Sequence, residues 1–350
     1  MAWNAREAES PSPLAAAQQA LLTVILGGRR RRPPLLPSPP PYNRQRSSLE
    51  RIDPYIGNPG MTHPRTVLRQ IVPEPTMEGA GVKLNRLIAG RQIDWLDPFL
   101  LLDHFGSEDP NDYLKGFPMH PHRGIETVTY LLEGEVAHRD TTGSSGVLRA
   151  GGVQWMTAGG GLLHEEMPRK VEGRLDGFQL WVNLPARLKM TRPRYQEFAA
   201  GEIPEARRND GTVIKVIAGE TDGVRGPVRE IAMQPTYLDV HLAANARFEQ
   251  AIPRGHAALA YLYRGAGRFG LSAGSEGEPM EALRLAILGD GDSFAAQAGP
   301  GGARFLLVSG APTGETIARY GPFVMNTREE LLQAVNDLNN GTFVWQEGRR

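Results

Sequence analysis

The sequence predicts an all-β chain folded as two barrels of one ancestry and closed by a single short C-terminal helix. Three observations carry that expectation. From about residue 66 onward, short runs rich in β-branched, aromatic and leucine residues alternate with Gly, Pro and Asp turns, on a background of 41 glycines and 28 prolines. A pattern in the first half of the chain recurs in the second. Only one segment carries the start and stop signals of a helix.

In chain order, the first 60 residues hold ten of the prolines and eight arginines against four acids, with runs such as PPLLPSPPP. Such a segment has too little apolar surface to offset its ordering entropy, so residues 1–60 are expected to be a disordered extension. It reads as a transit peptide, as a basic nuclear-type patch, or as the product of an early start codon, since Met61 stands directly before the first patterned segment. Strand-like runs then follow: GVKLNRLI, DPFLLLD, TVTYLLE, GVQWM and GFQLWVNL, then TVIKVI, YLDVHLA, ALAYLYR, EALRLAIL and ARFLLVSG. They divide into a first barrel over residues 61–195 and a second over 196–350. The helix is expected where Thr327 and Glu330 form a capping box ahead of Leu331, Leu332, Val335 and Leu338, and Asn339, Asn340 and Gly341 end it.

Composition limits the chemistry. With 350 residues the chain buries its cores without a metal or disulfide staple. It contains no cysteine, which fits a reducing compartment and excludes disulfides, thiolate zinc, iron–sulfur clusters and a thiol nucleophile. Any metal must bind nitrogen and oxygen. Beyond residue 60 there are 31 basic and 35 acidic residues, so the body has no surplus for phosphate and no direct nucleic-acid binding is expected. No run approaches the ~18 apolar residues of a membrane span, and LLTVILGG is followed by RRRR, the reverse of a secretory signal. A soluble cytoplasmic protein is expected, nuclear or organellar if the extension is a targeting segment.

The repeat aligns HRGIETVTYLLEG (122–134) with PRGHAALAYLYRG (253–265), matching Arg123, Gly124, Tyr130, Leu131 and Gly134 to Arg254, Gly255, Tyr261, Leu262 and Gly265. With another offset, residues 151–166 align with 291–306, matching Gly151, Ala158, Gly159 and Gly161 to Gly291, Ala298, Gly299 and Gly301.

The chemistry sits in the first copy, in GFPMHPHRGIE. Residues i and i+2 of a strand share a face, so His120 and His122 present both imidazoles to one point. LLHEEMP repeats that spacing with His164 and Glu166. Two such pairs on neighbouring strands converge on one ion, and three nitrogens with one carboxylate suit iron, nickel, copper, manganese or zinc while leaving positions open on an octahedral ion. Glu126 is the rival fourth ligand; it lies roughly 13 Å along the strand from His122, which favours Glu166 and leaves Glu126 to orient an imidazole. The alignment puts Ala251, Pro253, Arg304 and Leu306 at the matching positions of the second copy, a set that holds no metal. One metal per chain is therefore expected. Phe117, Met119, Trp155 and Met156 are apolar neighbours able to line a pocket for a flat ligand. His63, His104, His138, His241 and His256 lack such partners and read as surface or satisfied residues. GAGRFG (265–270) mimics a dinucleotide fingerprint without the helix it requires and reads as a turn.

The segments DPFLLLDHFG, GFPMHPHRGIETVTYLLEG, QWMTAGGGLLHEEMP, GFQLWVNLP and RYGPFVMNTREE, in this order, resemble the pirins, a bicupin family of the cupin superfamily. The resemblance runs from about residue 66 to 343. It implies two cupin barrels, the second without metal, and assigns the metal ligands to His120, His122, His164 and Glu166, with iron(II) first and nickel, copper, manganese, cobalt or zinc as alternatives. Pirins are similar to quercetin 2,3-dioxygenases, and members are credited with that activity; others are nuclear, iron-dependent transcriptional cofactors. The implied function is opening of a flavonol's heterocyclic ring by O2 with release of carbon monoxide, with Glu166 as base. The alternative is a metal-sensing co-regulator acting through a protein partner. A zinc hydrolase ranks third, because it uses three protein ligands and a separate base.

Overall fold

The computed structural model describes residues 63–170 and 172–346, so the expectation for the Pro/Arg-rich extension at 1–60 lies outside the described residues. Two β-barrels lie side by side. In the first, a seven-stranded sheet runs in the order Arg194–Phe198, Val153–Thr157, Ile125–Glu133, Leu175–Asn183, Phe99–Ser107, Val82–Ile88, Glu74–Glu78. It faces a four-stranded sheet ordered Phe117–His122, Leu162–Pro168, Glu135–Asp140, Ser145–Arg149. The second barrel is built from a nine-stranded sheet with the path Val67–Ile71, Arg284–Leu288, Ala257–Phe269, Ser293–Gly310, Thr236–Leu242, Val213–Ala218, Glu205–Arg207.

Alternation along the central strands is nearly lost in the sequence, and the packing explains why. One face of each central strand looks into its own barrel and the other meets the neighbouring barrel; both are apolar in the second barrel, whereas the inward face of the first also carries Thr127, Thr129, Gln179 and Arg86. Val128, Tyr130, Trp155, Phe178, Leu180 and Val182 of the first barrel form one core with Tyr237, Leu259, Tyr261, Tyr263, Leu306 and Val308 of the second. Tyr130 and Tyr261, matched by the repeat, both lie in this shared core. Several polar groups inside it are paired, although Tyr237 Oη and Trp155 Nε1 are buried without a hydrogen-bond partner among the described residues. The Asp239 carboxylate accepts from Tyr130 Oη at 2.8 Å and from Tyr263 Oη, and His241 Nε2 lies 3.2 Å from it. His104 reaches Tyr261 Oη through Nδ1 and Asp176 through Nε2, both at 2.8 Å.

Each end of the described chain crosses to the other barrel. Val67–Ile71, assigned by sequence to the first barrel, pairs antiparallel with Arg284–Leu288 in the second. The hairpin Ala318–Tyr320/Phe323–Met325 and the helix Arg328–Asn339, assigned to the second, pack on the first. The helix begins at Thr327, whose side chain accepts from Glu330 N, as the capping box requires. Its Ala334 and Leu338 bury against Leu163, Phe323 and Phe343. Two buried cations clamp this C-terminal segment. Arg123 donates to Gly160 O, Asp337 Oδ2 and Phe343 O, while Lys189 Nζ donates to Gly124 O, Asn183 Oδ1 and Val324 O. These contacts join residues far apart in sequence, so no local pattern announces them.

Two details of the sequence reading need correction. GAGRFG is not a turn: it lies almost wholly within the strand Ala257–Phe269, with register shifts at Leu262/Arg264 and Gly265/Gly267. A Cβ on Gly265 would stand 2.3 Å from Gly302 O, so glycine permits a bulge there rather than a loop. The second-copy partners of the metal residues are also displaced. By strand pairing, Phe117–His122 against Leu162–Pro168 corresponds to Arg247–Ala251 against the start of Ser293–Gly310. The inward positions there are Phe248, Gln250, Phe294 and Ala296, so phenyl rings pack the second barrel where the first carries imidazoles.

Candidate metal centre

His120 and His122 lie on the strand Phe117–His122, His164 and Glu166 on Leu162–Pro168, and the two strands are antiparallel neighbours with His164 opposite His120. Cross-strand partners share a face, so the register that the i, i+2 spacing leaves open brings all four inward. The ligand atoms of His120, His122 and His164 lie within 4.8 Å of one another. His120 Nδ1 donates to Pro118 O at 3.0 Å, which leaves the Nε2 lone pair free, and that Nε2 stands 3.0 Å from His122 Nε2. This is close to the separation of two adjacent nitrogen ligands that each sit about 2.1 Å from one ion. His164 Nε2 is buried without a hydrogen-bond partner.

Burial lowers the pKa of all three imidazoles, that of His120 to about 4 and those of His122 and His164 well below the ordinary value. At neutral pH they are uncharged, the form in which imidazole donates to a metal. An orphaned buried nitrogen, a preset tautomer and converging neutral imidazoles fit a divalent transition ion, and the histidine triad is able to hold one.

Glu166 does not join this close set. Its carboxylate accepts from Thr129 Oγ1 at 2.8 Å, and burial raises its pKa. It borders a small internal cavity with Phe117, Thr129, Val136, Leu175 and Gln179. The Phe117 ring lies 6.4 Å from that of His120. Met156 also faces inward, opposite Thr127 on the neighbouring strand and packed with Leu162 and Tyr195.

Met119, Trp155 and Glu126 are turned elsewhere. Met119 alternates with His120 and packs toward the C-terminal helix. Trp155 pairs with Val128 and joins the core between the barrels. Glu126 lies on that same outward face of its strand, where Thr157 Oγ1 donates to it at 2.8 Å. It is not in contact with the imidazoles it was expected to orient. Burial pushes its pKa up from 4.5 to about 7. Below pH 4.5 the folded and unfolded chains both hold this proton; between 4.5 and about 7 only the folded chain keeps it. Stability should therefore fall across that window and level off above it, by roughly 3 kcal/mol in all. Glu126→Gln is expected to remove this decline, so that its stability relative to the parent rises from pH 4.5 to pH 8 in urea melts. A pH-independent difference between the two proteins would refute the assignment.

Residues that sequence reading passed over complete the wall. His138, read as unpartnered, stands directly opposite Glu166 and faces inward, its Nε2 2.6 Å from Glu197 Oε2. Tyr195 stacks on His138, and its hydroxyl lies 3.5 Å from His164 Nδ1. Trp181 meets His122 edge-on at 5.0 Å. Parity within each strand was readable for these residues, but the pairing that turns that face toward the histidines was not.

Two barrels of cupin type, one carrying a buried histidine cluster at the meeting of two inward strands, define a bicupin with a single candidate metal centre among the described residues. The profile of the Pirin family matches residues 81–182, and that of the Pirin C-terminal cupin domain matches 237–344. A pirin-like protein of Caulobacter vibrioides is 46% identical over 80% of this chain and 99% of its own length. A Pseudomonas aeruginosa protein provisionally named quercetin 2,3-dioxygenase is 44% identical, again over 80% and 99%. The crystal structure of quercetin 2,3-dioxygenase from Acinetobacter baumannii superposes with a TM-score of 0.72 at 35% identity, covering 80% of this chain and 98% of the other. The chain belongs to the pirin family.

Proposed function

We propose that this protein is a metal-dependent dioxygenase of the quercetin 2,3-dioxygenase type, which opens the heterocyclic ring of a flavonol with O2 and releases carbon monoxide. The observation that carries the reading is the triad of neutral, converging imidazoles on the inward face of a partly open barrel. The names of the relatives in Pseudomonas and Acinetobacter support it.

His120, His122 and His164 would hold one divalent ion, iron(II) first among the candidates, with Glu166 as fourth ligand. When bound, the ion supplies Lewis acidity toward the flavonol 3-hydroxyl and a redox partner for oxygen. Three neutral nitrogens and one carboxylate would leave one of the divalent ion's two positive charges uncompensated, which favours an anionic oxygen ligand. Glu166 would take the hydroxyl proton; the reading is supported by its position on the triad's face, where its carboxylate accepts from Thr129 and borders Gln179 and His138. Phe117 offers an apolar surface beside the histidines for a flat ring. No helix among the described residues is long and apolar enough to cross a membrane.

The test is oxygen uptake with quercetin after loading with Fe(II), Ni(II), Cu(II), Mn(II) or Co(II) in turn. Uptake that follows one metal is the expected result. Fully loaded protein that consumes no oxygen with any of them would overturn the proposal and shift weight to a metal-sensing protein that acts through a partner.

A further inference from the structure

Around the triad, burial is uneven. His122, His164 and Glu166 are buried, whereas Phe117, His120, Gln179, Trp181, Arg86 and Arg319 are only half-buried. Arg86, Gln179 and Trp181 lie on the inward face of the large sheet, so the half-buried set marks where the first barrel opens to solvent. Two guanidinium groups stand at this mouth, and they differ in one respect. Arg86 is fully engaged by acids: it bonds both oxygens of Asp103 at 2.9 and 2.8 Å and Glu78 at 2.8 Å. Arg319 is not. Its contacts are to backbone carbonyls, Nη1 to Leu100 O at 3.1 Å and Nε to Gly321 O at 3.4 Å, and no carboxylate among the described residues lies within ion-pair distance of it.

Its position is fixed from two sides. The guanidinium lies 5.0 Å from the centre of the Trp181 ring, and that ring meets His122 at 5.0 Å. Trp181 therefore touches both His122 of the triad and a guanidinium that has no carboxylate at ion-pair distance among the described residues. Burial lowers the pKa of Arg319 and the Arg86 charge adds to the effect, while the Asp103 and Glu78 carboxylates, both bonded to Arg86, oppose it only in part. Nη2 has no hydrogen-bond partner among the described residues, and a planar fork with a free edge is suited to a carboxylate or phenolate.

We propose that Arg319 is the anion-recognition residue of the mouth, and that the ligand is an aromatic anion which chelates the metal at one end and presents a carboxylate or phenolate to Arg319 at the other. This rests on the reading of the triad as a metal centre that binds a flavonol-like ligand, and it adds a charge requirement to that ligand.

The test separates the two claims by using a redox-inert metal. Zinc-loaded protein is titrated calorimetrically with 3-hydroxyflavone and with 3-hydroxyflavone-4′-carboxylate, and the ratio of the two Kd values is read. The parent protein should prefer the carboxylate about tenfold, a gain typical of one charge-assisted hydrogen bond. Arg319→Gln should bring the ratio to near one, Arg319→Lys should keep most of the preference, and Arg319→Glu should reverse it. Zinc content and thermal midpoint, measured on every variant, identify any that misfolds, and the remaining substitutions still decide. Equal affinities in the parent, a preference that survives in Arg319→Gln, or no binding of either compound would each overturn the inference. Failure of the dioxygenase reading shows separately, as absent oxygen uptake in protein loaded with a redox metal.

Discussion

Replacing His164 by alanine is expected to abolish stoichiometric metal binding and to lower oxygen uptake with quercetin by at least about 100-fold. Removing an outer partner of a metal ligand already costs ~10–100-fold, and His164 is itself one of only three convergent nitrogens. The fold should persist, because the vacated ring leaves a space bordered by polar groups, and the strand around it is held by antiparallel neighbours on both sides. Elemental analysis should give one metal per parent chain and less than about a tenth of that for the variant. Two metals per chain, or a loaded and active His164→Ala protein, would contradict the centre described here. His122→Ala should behave in the same way, since its nitrogen is equally buried and equally close to the others.

The second large effect is on stability. Asp239 is fully buried between the barrels; burial alone would raise its pKa, but His241 and the hydroxyls of Tyr263 and Tyr130 outweigh it and hold the carboxyl below its usual value. Asp239→Ala removes the acceptor shared by both tyrosines and leaves His241 facing Arg304 alone, 2.6 Å away. Deleting one partner of a buried charged network typically costs ~3–5 kcal/mol. Denaturant melts should show a loss of that size, and because Tyr130 belongs to one barrel and Asp239 to the other, the variant should also unfold with less cooperativity between them. A loss below about 1 kcal/mol would mean that the tyrosines find other partners and that the network does not govern docking.

The information carried by the sequence was local. Period-two spacing places His120 with His122 and His164 with Glu166 on shared faces, and the capping box at Thr327 sets the start of the helix found at Arg328. The same period already argued against Met119, which alternates with His120. It offered no choice between Trp155 and Met156, both apolar, because the strand that carries them is buried on both sides. Glu126 was misplaced for a related reason: a carboxylate next to an apolar run says nothing about which of two buried faces it occupies.

By itself the sequence determined that the chain is all-β, that its two halves share a pattern and that it lacks thiol chemistry, and it nominated His120, His122 and His164 with Glu166 or Glu126 for a metal, since these follow from composition, periodicity and spacing over a few residues. Only the tertiary structure decided that His164 stands opposite His120, that His138 and Tyr195 enclose the site, that the two ends of the described chain exchange barrels, and that Arg319 reaches the mouth from nearly 200 residues beyond His122. The reason is physical. Strand register and barrel docking are set by hydrogen bonds and packing between segments remote in the chain, and the free energy of such contacts depends on the partner as much as on the residue itself.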